Sequence, residues 1–122
     1  MTIPVPGQTP AALREALRLI SYGLYVVTAA RENEVHAITF NWLTQVSFSP
    51  LLVLAAVENA SHTRALLAAT GIFAVNFLGA HQVDLARRMA VPHRMNPHKL
   101  AGIAYTVGAN GAPLLAEALG YV

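Results

Sequence analysis

The sequence predicts a single, mainly β domain with flanking helices, built as an antiparallel barrel. Three observations carry this prediction. The chain has 122 residues, which is too short for a second core, so residues 1–122 are taken as one domain. Its β-forming segments are joined mostly by short turns, whereas a doubly wound parallel sheet needs long helical crossovers. Helical patterns occur at only three places.

The first predicted helix begins at Thr9-Pro10, where a hydroxyl cap precedes a proline at the first helical position. Apolar residues then recur at helical spacing, and the helix is expected to end near Gly23. A β-hairpin is predicted next. Its strands are residues 23–30 and 35–40, joined by a polar turn at 31–34.

Two more extended segments, residues 45–48 and 51–57, are separated by Ser49-Pro50, a pair that breaks regular structure. Residues 51–57 read LLVLAAV and show no alternation of polar and apolar positions, so both faces of this strand are expected to be buried. The remaining predicted elements are a helix over 62–69 closed by Thr70-Gly71, a strand over 72–78, a helix over 82–90, a loop over 92–99, a strand over 103–107 and a turn at Asn110-Gly111.

Composition restricts the function classes. Apolar residues make up 55% of the chain and charged residues only 11%, against about 25% charged in a typical soluble domain. Much of the exterior is therefore expected to be covered, by a second subunit or a buried cofactor. The net charge of +2 comes from scattered basic residues, which disfavours nucleic acid and anionic membranes as partners. The absence of cysteine excludes disulfides and thiol redox chemistry, so electron transfer would need a bound cofactor.

Residues 37–57 carry no charge and are long enough to span a bilayer. Polar residues and Pro50 interrupt the segment, and its apolar positions are grouped as in strands. The first ten residues have neither a basic region nor an apolar core, so they do not predict a signal peptide. We expect a cytoplasmic protein that makes no contact with membranes.

Several catalytic signatures are absent: GxGxxG, GxxxxGK[ST], GxSxG and HExxH. Asp84 is the only aspartate, and no serine is placed beside it as a nucleophile, so hydrolase chemistry is disfavoured and no catalytic residue is predicted. The spacing of the histidines does not match a local metal motif, and we expect surface or loop residues and no metal site. These histidines are His36, His62, His81, His93 and His98.

Residues 39–47 (TFNWLTQVS) bring hydroxyls and amides into an otherwise apolar stretch. Such groups need partners. A flat heterocycle with donors and acceptors along one edge, such as an isoalloxazine ring, is one candidate partner. The alternative is a polar turn in which Asn41 and Gln45 satisfy their own backbone. Spacing alone leaves both open.

Ser61 is a suitable cap for the helix that follows, and the first N–H groups of that helix would lack partners. A helix start of this kind suits a phosphate, with Thr63 and Arg64 adding a hydroxyl and a charge. Most capped helices bind no anion, so only the combination with the segment at 39–47 suggests a mononucleotide cofactor.

Taken together, these blocks resemble the flavin reductase-like family, whose members have an FMN-binding split barrel. The resemblance extends from about residue 13 to Leu119, and the order and spacing of the blocks make it specific. The matching blocks are residues 23–28 (GLYVVT), 39–50 (TFNWLTQVSFSP), 51–57, 59–63 (NASHT) and 73–78 (FAVNFL).

The resemblance implies an antiparallel split β-barrel with flanking helices and a homodimer that holds FMN at its interface. It implies an FMN-dependent NAD(P)H oxidoreductase, in which NADH or NADPH reduces the flavin and electrons pass to free flavin, a monooxygenase partner or another acceptor. Residues implied to line the isoalloxazine ring and ribityl chain are Thr39, Asn41, Trp42, Gln45, Val46 and Ser47. Residues implied to hold the phosphate are Asn59, Ser61, Thr63 and Arg88.

The sequence departs from this family at its C-terminal end. Members continue for several strands beyond the segment that matches residues 111–115, including a Gly-Asp-His stretch near the flavin. We expect a domain that lacks these strands, with its barrel completed by a partner subunit or left incomplete. A non-catalytic FMN-binding or structural dimeric module therefore stays open as an alternative function.

Overall fold

The computed structural model describes residue 7 and residues 9–122. Within them the chain forms three helices and eight short strands in an antiparallel α/β arrangement. In chain order these are α1 (Pro10–Leu17), β1 (Tyr25–Arg31), β2 (Glu34–Phe40), β3 (Leu43–Phe48), β4 (Leu51–Ala55), α2 (His62–Thr70), β5 (Ala74–Phe77), α3 (Val83–Ala90), β6 (Tyr105–Val107), β7 (Pro113–Leu115) and β8 (Gly120–Tyr121).

The strands form three separate antiparallel sheets. The largest has the order β2-β1-β5-β8, and the pairs β3-β4 and β6-β7 form two hairpins. In the large sheet, Tyr25 of β1 lies opposite both Phe40 of β2 and Phe77 of β5. Residues 9–122 contain no closed barrel. The antiparallel sheets and flanking helices of the prediction are confirmed. The split barrel is not seen as a closed structure among these residues, because β3-β4 does not pair with the large sheet.

Most helices and strands form where local sequence signals predicted them. The β1-β2 hairpin forms around a tight turn in which Glu32 takes a left-handed φ of 53°, the backbone geometry that short hairpin turns require. Helix α2 ends at Gly71, whose φ of 67° closes it as predicted. β3 begins two residues earlier than predicted, and β8 was not predicted at all because a two-residue strand has too little pattern to recognise.

Helix α1 begins as predicted, with the Thr9 hydroxyl accepting a hydrogen bond from the Ala12 N–H at 3.2 Å. It ends at Leu17 and not near Gly23. None of its residues is buried, so no described part of the chain fully covers its apolar face. The predicted length was wrong because helix propensity without packing does not extend a short helix.

The core lies on both faces of the large sheet. Successive residues of a strand point to opposite faces, and Val26 and Val27 accordingly belong to two different clusters. Val26 packs with Met89 of α3, which is fully buried, and with Leu115 of β7. Helix α3 therefore covers the face of the sheet next to β2, the strand that leads to the candidate site.

A buried polar network joins β7 to the large sheet. The Asn76 side chain donates to Val26 O and Thr28 Oγ1, both at 3.1 Å, and accepts from the Leu115 N–H at 2.8 Å. The Thr28 hydroxyl donates to Pro113 O at 2.5 Å. Both side chains are completely buried, so the network satisfies polar groups that water cannot reach.

Two cations hold the end of α3 to the loop that follows it. Lys99 Nζ donates to Met89 O and Val91 O, both at 2.8 Å. In return, Arg88 Nε donates to Lys99 O at 2.7 Å, and the Arg88 guanidinium also donates to Ala101 O. Lys99 thereby satisfies the Met89 carbonyl in the last turn of α3 and the carbonyl of the cap residue Val91.

The β3-β4 hairpin is exposed, which corrects the prediction that residues 51–57 are buried on both faces. All of β4 up to Leu54 is exposed, and Phe48 and Leu51 are 85% and 77% exposed. The pattern of a buried strand is present, but nothing within the described chain covers it. None of the described helices is both long and apolar enough to cross a membrane.

Candidate functional site

The predicted polar segment and the predicted helix start line one cavity. This cavity has a volume of about 500 Å³. From the end of β2 and the following turn it takes Thr39, Asn41 and Trp42, and from the start of α2 it takes Ser61 and Thr63. Two segments about twenty residues apart in sequence therefore converge, as the mononucleotide hypothesis requires.

The β2 end of the cavity combines an aromatic surface with polar groups. Trp42 is 59% exposed and Asn41 is also exposed, so both side chains are available to a ligand. The Trp42 carbonyl is held by the Ala56 N–H at 3.0 Å, which fixes the backbone at this point. The Thr39 hydroxyl donates to Ala86 O of α3 at 2.5 Å, so it can only accept a bond from a ligand.

The α2 end of the cavity is a capped helix start. Ser61 Oγ accepts from the Arg64 N–H at 3.1 Å and donates to Glu58 O at 2.7 Å. Among the described residues, the backbone N–H groups of His62 and Thr63 have no hydrogen-bond partner. Free amides and the helix dipole favour an anion at this position.

Glu58 also lines the cavity, beside Ser61. Sequence reasoning missed it, although it directly precedes the residues implied to hold a phosphate. Its carboxylate opposes an anion here and suits the hydroxyl groups of a sugar-like chain.

Five of the ten implied site residues do not line this cavity. Gln45 and Val46 lie on the exposed β3, where Val46 falls in a bulge and Gln45 Nε2 donates to Ser47 O at 3.2 Å. This bond matches the alternative in which Gln45 satisfies its own backbone. Arg88 is occupied by the carbonyls of Lys99 and Ala101.

Asn59 lies in the turn before α2 and is exposed, but it is also not among the lining residues. The cavity thus unites Thr39, Asn41, Trp42, Ser61 and Thr63, whereas Gln45, Val46, Ser47, Asn59 and Arg88 lie outside it.

Three of the five histidines meet next to this cavity. The prediction of surface or loop histidines is wrong for His36, which is buried in β2, whereas His93 lies in a loop as predicted. His36 of β2 is only 3% exposed, His62 is the first residue of α2, and His93 lies in the loop after α3. The rings of His62 and His93 are stacked with centroids 3.7 Å apart, and the His36 ring lies 5.1 and 5.5 Å from them.

Hydrogen bonds connect this cluster to its surroundings. His36 Nε2 is 2.9 Å from Thr63 Oγ1, and His62 Nε2 contacts the Glu34 carboxylate. Burial, and then the nearby Lys99 charge, lower the pKa of His36 to about 4, so it is neutral at pH 7. The hydrogen bond from His62 lowers the pKa of Glu34. No local motif could reveal this cluster, because its members come from three elements far apart in sequence.

Known proteins resemble this chain in sequence and in fold. Residues 17–122 match the family described as flavin reductase like domain. An NADH-dependent FMN reductase of Streptomyces nodosus subsp. asukaensis is 34% identical over 118 residues, covering 93% of this chain and 61% of that protein. Diflavin flavoprotein A 1 of Synechocystis sp. is 30% identical over 112 residues, covering 90% of this chain.

Among solved structures, the NADH:FAD oxidoreductase of Streptomyces globisporus is similar, with a TM-score of 0.81 and 31% identity. The match covers 99% of this chain and 72% of that one. The chain spans only about a fifth of the length of the diflavin relatives. Because the family match covers most of the chain, this protein belongs to the flavin reductase-like family.

Proposed function

We propose that this chain binds FMN in the cavity between β2 and α2 and acts there as an NAD(P)H-dependent flavin oxidoreductase. The observation that carries the proposal is the convergence of the Asn41-Trp42 turn and the α2 start on one cavity. Both relatives named for their reductase activity use NADH, and one acts on FMN and the other on FAD.

The residues present fit a flavin mononucleotide. A volume of about 500 Å³ is within the range of roughly 300 to 1,000 Å³ typical of small-molecule sites. Trp42 offers an aromatic face for the ring, and the Asn41 amide offers a donor and an acceptor to its polar edge. The free N–H groups of His62 and Thr63 would hold the phosphate, and Glu58 would accept from ribityl hydroxyls.

The flavin, when bound, supplies the hydride-accepting ring. The chain's own residues supply position and electrostatics. The Trp42 backbone is fixed by Ala56, and the α2 start is fixed by its Ser61 cap, so the two ends of the ligand would be held at a set distance. Hydride transfer needs alignment of two rings more than an acid or base.

A second copy of the chain is proposed to cover the exposed β3-β4 hairpin and α1. This would bury Phe48 and Leu51 and would complete the split barrel that the single chain leaves open. Because β3 directly follows Trp42, such a contact would adjoin the flavin cavity. It would also bring Gln45, Val46 and Ser47 into the interface.

The electron acceptor is proposed to be free flavin or a flavin-dependent partner enzyme, with the reaction in the cytoplasm. One similar structure is the flavin reductase component of a bacterial two-component tryptophan halogenase, with 32% identity and a TM-score of 0.78. That arrangement supports a reductase that passes its electrons to a separate monooxygenase-type enzyme.

The test compares FMN with riboflavin, which lacks the phosphate. We expect Ser61→Ala to raise the Kd for FMN about three- to tenfold, because a lost cap loosens the amides at the start of α2. The Kd for riboflavin should not change. Thr9→Ala is the matched control, since it removes an equivalent cap from α1, away from the cavity. Equal effects on both ligands, or protein that binds no FMN, would contradict the proposal.

The catalytic half of the proposal is tested by mixing the FMN-loaded protein with NADH or NADPH in a stopped-flow instrument. Bleaching of the flavin absorbance within seconds supports a reductase. Bound flavin that stays oxidised would instead establish the non-catalytic FMN-binding module.

A further inference from the structure

We propose that His36, His62 and His93 form a binding site for a divalent transition metal of the zinc class, with Glu34 as its supporting carboxylate. The site lies beside the flavin cavity and adjoins it at Thr63, but its ligands are side-chain imidazoles that take no part in the proposed flavin contacts. The proposal rests on the positions of these four side chains and is independent of flavin binding.

The geometry is close to that of a metal site. Each histidine offers a ring nitrogen, and these atoms lie within 4.8 Å of one another. Zinc binds imidazole nitrogen at about 2.0 to 2.1 Å in a tetrahedron, which places the ligand nitrogens about 3.4 Å apart. Small side-chain rotations would close the difference. The stacked rings of His62 and His93 would have to turn away from parallel to do so.

The hydrogen bonds around the cluster have the pattern of a metal site's outer shell. A metal-bound histidine usually donates its other N–H to a carboxylate or another oxygen, which orients the ring. His62 Nε2 contacts the Glu34 carboxylate, and His36 Nε2 is 2.9 Å from the Thr63 hydroxyl. Each of these histidines keeps its second ring nitrogen outside those bonds.

His93 supplies an independent observation. Its Nδ1 atom is buried and has no hydrogen-bond partner among the described residues. A buried polar atom without a partner costs free energy and calls for an explanation. A metal ion coordinated by this nitrogen would remove that free-energy cost.

The donor set indicates the class of ion. Three imidazole ligands, supported by a carboxylate and without thiolate, suit Zn²⁺, Co²⁺, Ni²⁺ or Cu²⁺. Ca²⁺ and Mg²⁺ prefer oxygen ligands. His62 and His93 both line two cavities, of about 520 and about 790 Å³. Solvent therefore reaches the cluster, and the fourth position on the ion is open to water.

Such an ion would connect three parts of the chain: β2, the first residue of α2 and the loop after α3. Thr63, which bonds His36, also lines the flavin cavity. The metal would thereby steady the helix start at which the proposed phosphate site lies.

The experiment uses untagged, flavin-free protein stripped with EDTA and titrated with Zn²⁺ by calorimetry. We expect one Zn²⁺ per chain with a Kd in the micromolar range or below. His93→Ala should raise that Kd at least tenfold, and Glu34→Gln should raise it about 10- to 100-fold. His81→Ala is the matched control, since His81 is exposed and outside the cluster, and it should bind as the unmodified chain does.

Co²⁺ absorption distinguishes a built site from surface binding. Strong visible bands of a tetrahedral ion, absent in His93→Ala, support the proposal. The weak spectrum of hydrated Co²⁺, no saturable Zn²⁺ binding, or equal affinity in His93→Ala and His81→Ala would overturn it. His93 lies in a loop and not in the core, and circular dichroism of the variant verifies that it is folded.

Discussion

Asn76 offers the most quantitative test of how the fold is held together. It is completely buried in β5 and makes three hydrogen bonds, to β1 through Val26 and Thr28 and to β7 through Leu115. The variant Asn76→Ala removes all three bonds. It leaves the Leu115 N–H and two oxygen acceptors without their partner in a place that water does not reach.

The expected loss follows from these contacts. At about 1 kcal/mol net for each hydrogen bond, the three bonds contribute about 3 kcal/mol to the free energy of unfolding. The unpaired Leu115 N–H and the small cavity left by the amide add to this figure, so we expect a loss of about 3 to 4 kcal/mol. Against a total of roughly 5 to 15 kcal/mol for a domain, that is a large fraction.

Urea unfolding followed by circular dichroism measures this loss as a lower midpoint with an unchanged slope. Asn96→Ala is the matched control, because the Asn96 side chain makes a single hydrogen bond, accepted from the His98 N–H, in an exposed loop. Its expected loss is about 0.5 to 1 kcal/mol. If Asn76→Ala lost less than about 1 kcal/mol, the network would not hold β7 to the sheet as described.

Three further predictions concern charge, surface and pH. Glu58→Gln removes the charge that opposes the phosphate but keeps an oxygen that accepts from ribityl hydroxyls. It should therefore lower the Kd for FMN about two- to fivefold at low salt and leave the Kd for riboflavin unchanged, as measured by flavin fluorescence, and the gain should shrink at high salt. Phe48→Ser should weaken self-association at least tenfold in sedimentation, because Phe48 is 85% exposed on the proposed dimer face; unchanged sedimentation contradicts that face. Burial lowers the pKa of Lys99, the only lysine, from 10.5 to about 8, so the unfolded chain binds more protons above pH 8. The free energy of unfolding should therefore rise between pH 8 and 10.5, and Lys99→Met should remove most of that rise.

The sequence correctly predicted the features of the fold that depend on contacts between residues close together in the chain. The Thr9 and Ser61 caps, the Gly71 helix end and the β1-β2 hairpin all rest on contacts within a few residues, and each is present. The convergence of Trp42 and Ser61 on one cavity was predicted from the combination of two local signals.

What could not be predicted depends on distant contacts. The apolar run of β4 indicates burial, but burial requires a covering surface, which residues 9–122 do not supply. Arg88 has the charge of a phosphate ligand, yet its guanidinium donates hydrogen bonds to two carbonyls of the loop after α3. The cluster of His36, His62 and His93 depends on three elements meeting, which no spacing in the sequence expresses.

The hydrogen bonds by which Arg88 and Lys99 join α3 to the following loop affect how the protein responds to acid and salt. Each cation donates to peptide oxygens of the other segment, and within residues 9–122 neither pairs with a carboxylate. Amide oxygens stay unprotonated in mildly acidic solution. The hydrogen bonds of Arg88 and Lys99 therefore persist at a pH at which Asp and Glu become protonated and lose their ion pairs. Short donor contacts of this kind are also weakly screened when they are buried. The segment that carries His93 therefore keeps its anchor through acidification, even while the glutamate beside it becomes neutral.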